Sequence, residues 1–140
     1  MQAKRMAYGW TLRLEAGEEI VSALAAWAAR EGVRSGLISG IGAVGETELG
    51  FFERASRTYV RRHFRGEHEI GALNGNFSEL EGKPFPHLHM ILAGDDFVAY
   101  TGHCFRGVVT VTCEIQVVTD GSVVTRLARP DLGYNPLALE

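Results

Sequence analysis

Apolar and polar residues alternate along most of this chain, and only one stretch shows the wider spacing of a helix. Tyr8, Trp10, Leu12 and Leu14 alternate with Gly9, Thr11 and Arg13, a period of two that predicts a half-buried first strand. Gly17 then opens a helix. Glu18 and Glu19 stand in its predicted first turn, where the macrodipole favours anions, and Ile20, Leu24, Trp27 and Ala28 recur at helical spacing until Glu31 and Gly32 stop it. From Val33 onward the pattern is short runs punctuated by glycine: Leu37–Val44, Thr47–Phe52, Thr58–Phe64, Ile70–Leu80, His87–Ala93, Phe97–Cys104, Val108–Val118 and Val123–Ala128. This order predicts an α+β fold, with a mostly antiparallel sheet of about seven or eight strands packed around one main helix. The stretch Arg129–Pro136 has turn composition and is expected to form a packed tail or to cap a neighbouring subunit.

Within the strand pattern lies a cluster of histidines. His87 and His89 form an H-x-H pair, and His103 follows fourteen residues after His89. A strand sends alternate side chains to opposite faces, so His87 and His89 share one face while Leu88, Met90 and Leu92 line the other. Ala93-Gly94-Asp95-Asp96 is turn chemistry, and Phe97–Thr101 reads as the return strand of a hairpin. With a three-residue loop, Gly94 to Asp96, Ala93 faces Phe97, His89 faces Thr101 and His87 lies opposite His103. All three imidazoles then share a face, roughly 5 Å apart across the pair and about 7–8 Å on the diagonal. A two-residue loop would turn His103 to the other face. Three neutral imidazoles with an open fourth position suit a divalent metal, zinc first, with nickel, cobalt or iron compatible on ligand type. The competing account is three ordinary solvent-facing or hydrogen-bonded strand histidines. Cys104 follows His103 directly, should point the opposite way, and reads as a small core residue.

Gly40-Ile41-Gly42-Ala43-Val44-Gly45 matches the G-x-G-x-x-G dinucleotide pattern, but Glu46–Phe52 continues as a strand where that fingerprint needs a helix N-terminus for the pyrophosphate. The glycines are better explained by a turn, a bulge or close packing between strands. Arg54, Arg57, Arg61, Arg62 and Arg65, interleaved with Tyr59 and Phe64 and near His63 and His68, form the one basic cluster. Such a cluster can grip phosphate and stack on bases. Because Tyr59, Arg61, His63 and Arg65 share a face and Glu53, Glu67 and Glu69 lie close in sequence, a solvated or subunit-facing strand is the stronger expectation. Glu69, Glu79 and Glu114 lie on strand-like runs, and the pattern does not choose which of them approaches the histidines.

Composition narrows the classes. The chain has 140 residues, 46% of them hydrophobic, enough for one well-buried domain spanning 1–140. The two cysteines lack C-x-x-C spacing and no N-terminal apolar run resembles a signal peptide, which leads us to expect a reduced, cytoplasmic protein. No run approaches the roughly 18 apolar residues of a membrane span. A net charge of −3 argues against strong non-specific nucleic-acid binding.

From about Tyr8 to Ala128 the sequence resembles the PPC domain, the plants-and-prokaryotes-conserved domain. The resemblance rests on Gly36-Leu37-Ile38-Ser39-Gly40-Ile41-Gly42-Ala43 after the helix, Leu49-Gly50-Phe51-Phe52 with Tyr59 following, and Gly66–Leu73. His87-Leu88-His89, Gly102-His103 and the run from Val108 complete it. It implies a homotrimer, and metal binding by prokaryotic members carries over onto His87, His89 and His103. Plant members read G-R-F-E-I-L-S-L, a partner-binding segment, where this chain reads G-E-H-E-I-G-A-L and so departs at Glu67, His68, Gly71 and Ala72. Plant members also bind DNA through an R-G-R-P hook, which this sequence does not contain.

Three functions follow. The first is a homotrimeric metal-binding module in a DNA-associated or regulatory role, with DNA or protein as partner. The second is a metal-dependent enzyme acting on an unidentified small molecule through a metal-bound water. The third is direct DNA binding through the arginine strand, which trimer symmetry fits poorly. An open coordination position beside a cleft favours the second over a purely structural metal.

Overall fold

The computed structural model describes residues 1–139. The strands are β1 (Gln2–Met6), β2 (Gly9–Glu15), β3 (Gly36–Glu53), β4 (Thr58–Phe64) and β5 (His68–Leu80), followed by β6 (Lys83–Ala93), β7 (Ala99–Val118), β8 (Thr125–Arg126) and β9 (Leu137–Ala138). The helix α1 spans Ile20–Glu31. The architecture is the predicted α+β sheet around one helix. Its strand pattern differs in three places.

First, Leu37–Val44 and Thr47–Phe52 are halves of one strand, β3, and the run Phe97–Cys104, from Ala99 onward, joins Val108–Val118 in one strand, β7. The break between the halves of β3 is a register slip against β7 between Val44 and Thr47, and the glycines before it carry further bulges, between Gly40 and Gly42 against β5 and between Gly42 and Val44 against β7. A Cβ on Gly42 would stand 2.3 Å from the Thr112 carbonyl oxygen, so glycine here permits the close approach of β7. The G-x-G-x-x-G segment is therefore bulged strand, and no helix follows it to hold a pyrophosphate.

Second, β1 precedes the predicted first strand and pairs with β2 as an exposed edge. Third, Glu18 and Glu19 lie before the first turn of α1. Glu19 is its N-cap, accepting from the backbone N–H groups of Val21 and Ser22 at 3.0 and 2.8 Å and from Gly107 of β7 at 3.2 Å. Burial pushes the Glu19 carboxyl up, but the hydrogen bonds from Ser22, Val21 and Gly107 outweigh it and hold the group below its ordinary value. Gly32, at φ 70°, ends the helix in the left-handed conformation that glycine adopts without cost.

The sheet runs β1-β2-β7-β3-β5-β8-β9, with β4 added to β3 and β6 joined to both β5 and β7. Strands β3, β5, β6 and β7 thus close a circuit of antiparallel pairings, and the single parallel contact among the described residues is Glu79 with Thr125. The helix buries Ile20, Leu24, Trp27 and Ala28 against this sheet. The Trp27 ring lies 5.5 Å from Trp10 and 6.0 Å from Phe77, and truncating such a buried indole costs about 3–5 kcal/mol. Leu88, Met90 and Leu92 are fully buried in the same core, so β6 turns its alternate residues, including the histidine pair, away from it. No helix among the described residues is long and apolar enough to cross a membrane.

Candidate metal centre

Three strand positions bring His87, His89 and His103 together. The hairpin loop between β6 and β7 runs from Gly94 to Val98, because Ala93 pairs with Ala99 rather than Phe97. Phe97 N–H closes the turn on the Gly94 carbonyl at 3.0 Å, and Asp96 accepts from Val98 N–H at 3.0 Å, which keeps Phe97 and Val98 out of the strand. Consequently His89, not His87, lies directly opposite His103, and His87 takes the diagonal. The register moves by two residues, an even step, so the shared face is preserved.

The ring centroids are 5.3 Å apart for His87–His89, 5.1 Å for His87–His103 and 5.6 Å for His89–His103. One nitrogen from each ring falls within 4.8 Å of the others, and among the described residues no carboxylate or thiol joins the group. Burial, then the nearby Arg126 and His89 charges, pushes the His87 imidazole down to about 4. His103 is likewise held at about 4, by burial first and by the charges of His87, His89, Arg61 and Arg126 after it. Both rings are therefore neutral at pH 7, the form in which imidazole ligates a metal. His103 Nδ1 is buried without a hydrogen-bond partner, a polar atom left unsatisfied. An all-imidazole donor set fits a transition metal such as zinc and not calcium or magnesium, which take oxygen ligands.

Aromatic rings wall the site. Phe105 packs 4.5 Å and Tyr59 5.2 Å from the His103 ring, and Gly50, paired with His103, lets both approach: a Cβ there would lie 2.5 Å from Phe105 Cε2. Phe52, Phe85 and Tyr134 extend the wall around a cavity of about 420 Å³. Tyr134 stands 5.6 Å from Phe52, so the predicted packed tail forms one side of the site. Burial pushes the Tyr59 phenol up against the opposing pull of the Arg126 charge.

Arg126, on β8, is the residue that sequence reasoning missed. Its Nε donates to Ser78 Oγ at 2.7 Å, Nη1 to the Asn135 carbonyl at 2.7 Å, and Nη2 to Asn76 Oδ1 at 2.9 Å and His87 Nδ1 at 3.2 Å. Burial lowers its pKa. Nothing in the local sequence marks it, since β8 is two residues long and is placed by pairing with β5 and β9.

The three candidate carboxylates are absent from the cavity lining. Glu79 is bound to Arg34 at 2.6 Å, Glu114 is exposed opposite Arg13, and Glu69 is exposed opposite Ala93. Cys104 is buried on the opposite face, as its position predicts, and burial pushes its thiol up to about 12. The arginine cluster does not form one free surface. Arg61 stacks 3.8 Å from the Phe105 ring centre and bonds Glu48 at 2.7 Å, while Arg62 lies over Phe64 and Tyr100 on the other face. His63 contacts the same Glu48 at 3.4 Å, and Arg57 donates to the Asp131 carbonyl.

The family model described as the Plants and Prokaryotes Conserved (PCC) domain matches residues 1–120. Among solved structures, a "putative DNA-binding protein" from Bacteroides thetaiotaomicron superposes with TM-score 0.93 at 32% identity, covering 98% of this chain and 96% of that one. A metal-containing protein from Archaeoglobus fulgidus gives 0.83 at 28% identity over 92% and 91% of the two chains. A plant- and prokaryote-conserved (PPC) protein from Pyrococcus horikoshii gives 0.76 at 28% over 83% and 81%. No curated protein matches the chain. The match to the domain over most of the sequence, carried by a fold whose strands gather three histidines at one cavity, makes this chain a member of the Plants and Prokaryotes Conserved domain family.

Proposed function

We propose that the protein is a single-domain, homotrimeric, divalent-metal-binding module in which His87, His89 and His103 hold the ion, zinc first among candidates, at a cavity open to a small molecule. The observation that carries this reading is the three-imidazole cluster with its nitrogens within 4.8 Å of one another. The metal-containing neighbour from Archaeoglobus fulgidus supports it. An ion at this place would supply Lewis-acid polarisation of whatever enters the cavity. The residues of the chain orient that ligand: the aromatic walls offer an apolar surface and Arg126 a positive charge.

The homotrimer draws support from apolar side chains left outside the core. Leu37 and Ile41 of β3 and Val111 of β7 are 59%, 58% and 67% exposed, and Phe51 opposite Val60 is 71% exposed. An interface with another copy would cover side chains of this kind. The DNA-associated role comes from the description of the Bacteroides neighbour, and in this chain it would act through partners or assembly, because Arg61, at the centre of the basic strand, is paired with Glu48 and stacked on Phe105.

The second reading, a metal-dependent enzyme, is favoured by one observation: no fourth protein ligand closes the site among the described residues, and the cavity opens beside it. Calorimetric titration of the chelator-treated protein with zinc tests the common element of both readings. Saturation at one ion per chain is the expected result, and absence of binding would refute it.

A further inference from the structure

Arg126 has no carboxylate partner among the described residues; its hydrogen bonds all go to neutral acceptors, and one Nη1 N–H is left over. A half-buried guanidinium without a counter-charge is costly unless something anionic completes it. The contact with His87 is also one that metal loading must break. Arginine can only donate, so His87 Nδ1 accepts here and the ring proton of the neutral imidazole sits on Nε2. A cation bound at Nδ1 displaces the guanidinium; a cation bound at Nε2 sends the proton to Nδ1, which then no longer accepts. In either case an Arg126 N–H is released toward the cavity.

The loaded site then holds a divalent charge on neutral rings, a guanidinium with free N–H groups, and a lining without a carboxylate. Its remaining walls are mostly aromatic, Phe52, Tyr59, Phe85, Phe105 and Tyr134 beside Gly133 and Asn135, and the Arg126 guanidinium carbon lies 5.1 Å from the Phe85 ring centre. Charge calls for an oxyanion and the walls call for an apolar body; the cavity of about 420 Å³ falls in the size range of small-molecule sites. Resting on the metal reading, we infer that this cavity receives a small-molecule carboxylate with an aromatic or apolar body, its carboxylate taken by Arg126 beside the metal position.

The test uses cobalt(II)-loaded protein, followed by its visible absorption, titrated separately with benzoate, benzamide and inorganic phosphate. Benzoate should change the cobalt spectrum saturably, benzamide should leave it unchanged, and phosphate should bind about tenfold more weakly or worse for want of an apolar body. Arg126→Met should retain cobalt and lose benzoate affinity by about tenfold or more, the size expected for a charge-assisted contact. Benzoate no better than benzamide, phosphate as tight as benzoate, or unchanged benzoate binding by Arg126→Met would each overturn the carboxylate assignment while leaving the metal site standing. Failure of the wild type to take up cobalt would overturn both. Should Arg126→Met not fold, Arg126→Lys takes its place, with cobalt retained and benzoate affinity lowered by loss of the guanidinium fork as the expected result and unchanged benzoate binding as the result that overturns the assignment.

Discussion

Nη2 of Arg126 donates to Nδ1 of His87 across 3.2 Å, so a fixed cation touches one of the three rings that gather at the cavity. The arrangement works against a metal ion electrostatically and for it by adding to burial, the larger cause, in keeping the imidazole unprotonated. Arg126→Met removes the like charge and frees Nδ1. Zinc affinity at neutral pH should rise about tenfold, since a unit charge near a dication at a partly solvated site is worth at least this much. Competition against a chelating dye measures it; weaker zinc binding by the variant would contradict the argument.

Gly50 sits where a Cβ would press on Phe105 and Tyr59, both of which pack against His103. Gly50→Ala should destabilise the protein by about 1–3 kcal/mol through overpacking and weaken zinc binding, although no ligand residue is altered. Urea unfolding and zinc titration on the same preparation check both effects.

Glu19 caps α1 and ties it to Gly107 of β7, so Glu19→Ala should cost about 1–2 kcal/mol. Its folded pKa lies below the unfolded value of 4.5, so the folded state binds fewer protons. The contribution is fully present above pH 4.5 and is lost as pH falls through the folded value. Unfolding curves of wild type and Glu19→Ala should therefore converge in acid and stay apart near neutrality.

Arg61 pairs with Glu48 and stacks on Phe105, and Arg62 lies over Phe64 and Tyr100 on the other face of the strand. Arg61→Ala with Arg62→Ala should leave retention of duplex DNA at low salt unchanged while lowering stability by about 0.5–1 kcal/mol for each lost stacking contact. A steep loss of DNA retention in the double variant would restore the phosphate-gripping reading of this strand.

Cys104 and Cys113 are buried, with thiols pushed by burial to about 12. Neither should react with a thiol-specific reagent in the native protein at pH 8, and both should react in denaturant.

The histidine face was legible because period two needs no tertiary information: with Leu88, Met90 and Leu92 inward, His87 and His89 must point outward. The pairing was off by two residues, since the Asp96 side chain and Phe97 backbone close a longer turn than the run of turn residues suggests. Gly40 and Gly42 lie inside the run Leu37–Val44 and form the bulge and close approach that such glycines suggest, whereas Gly45 ended that run although β3 continues through it; local composition does not distinguish a break from a bulge. The edge strand Gln2–Met6 has little apolar alternation to reveal it, being mostly solvent-exposed. Arg126 was invisible for a different reason. Its place beside His87 is made by the chain returning from far along the sequence to pair Thr125 with Glu79, a contact that no local pattern encodes.

The central claim, that His87, His89 and His103 hold a metal, is tested most directly by elemental analysis of purified wild type beside the double variant His87→Ala with His89→Ala, each freshly isolated without chelator. The account predicts close to one divalent metal per chain in the wild type and almost none in the variant, with both proteins folded. Metal-free wild type that also refuses added zinc, or equal metal in the two proteins, would contradict it.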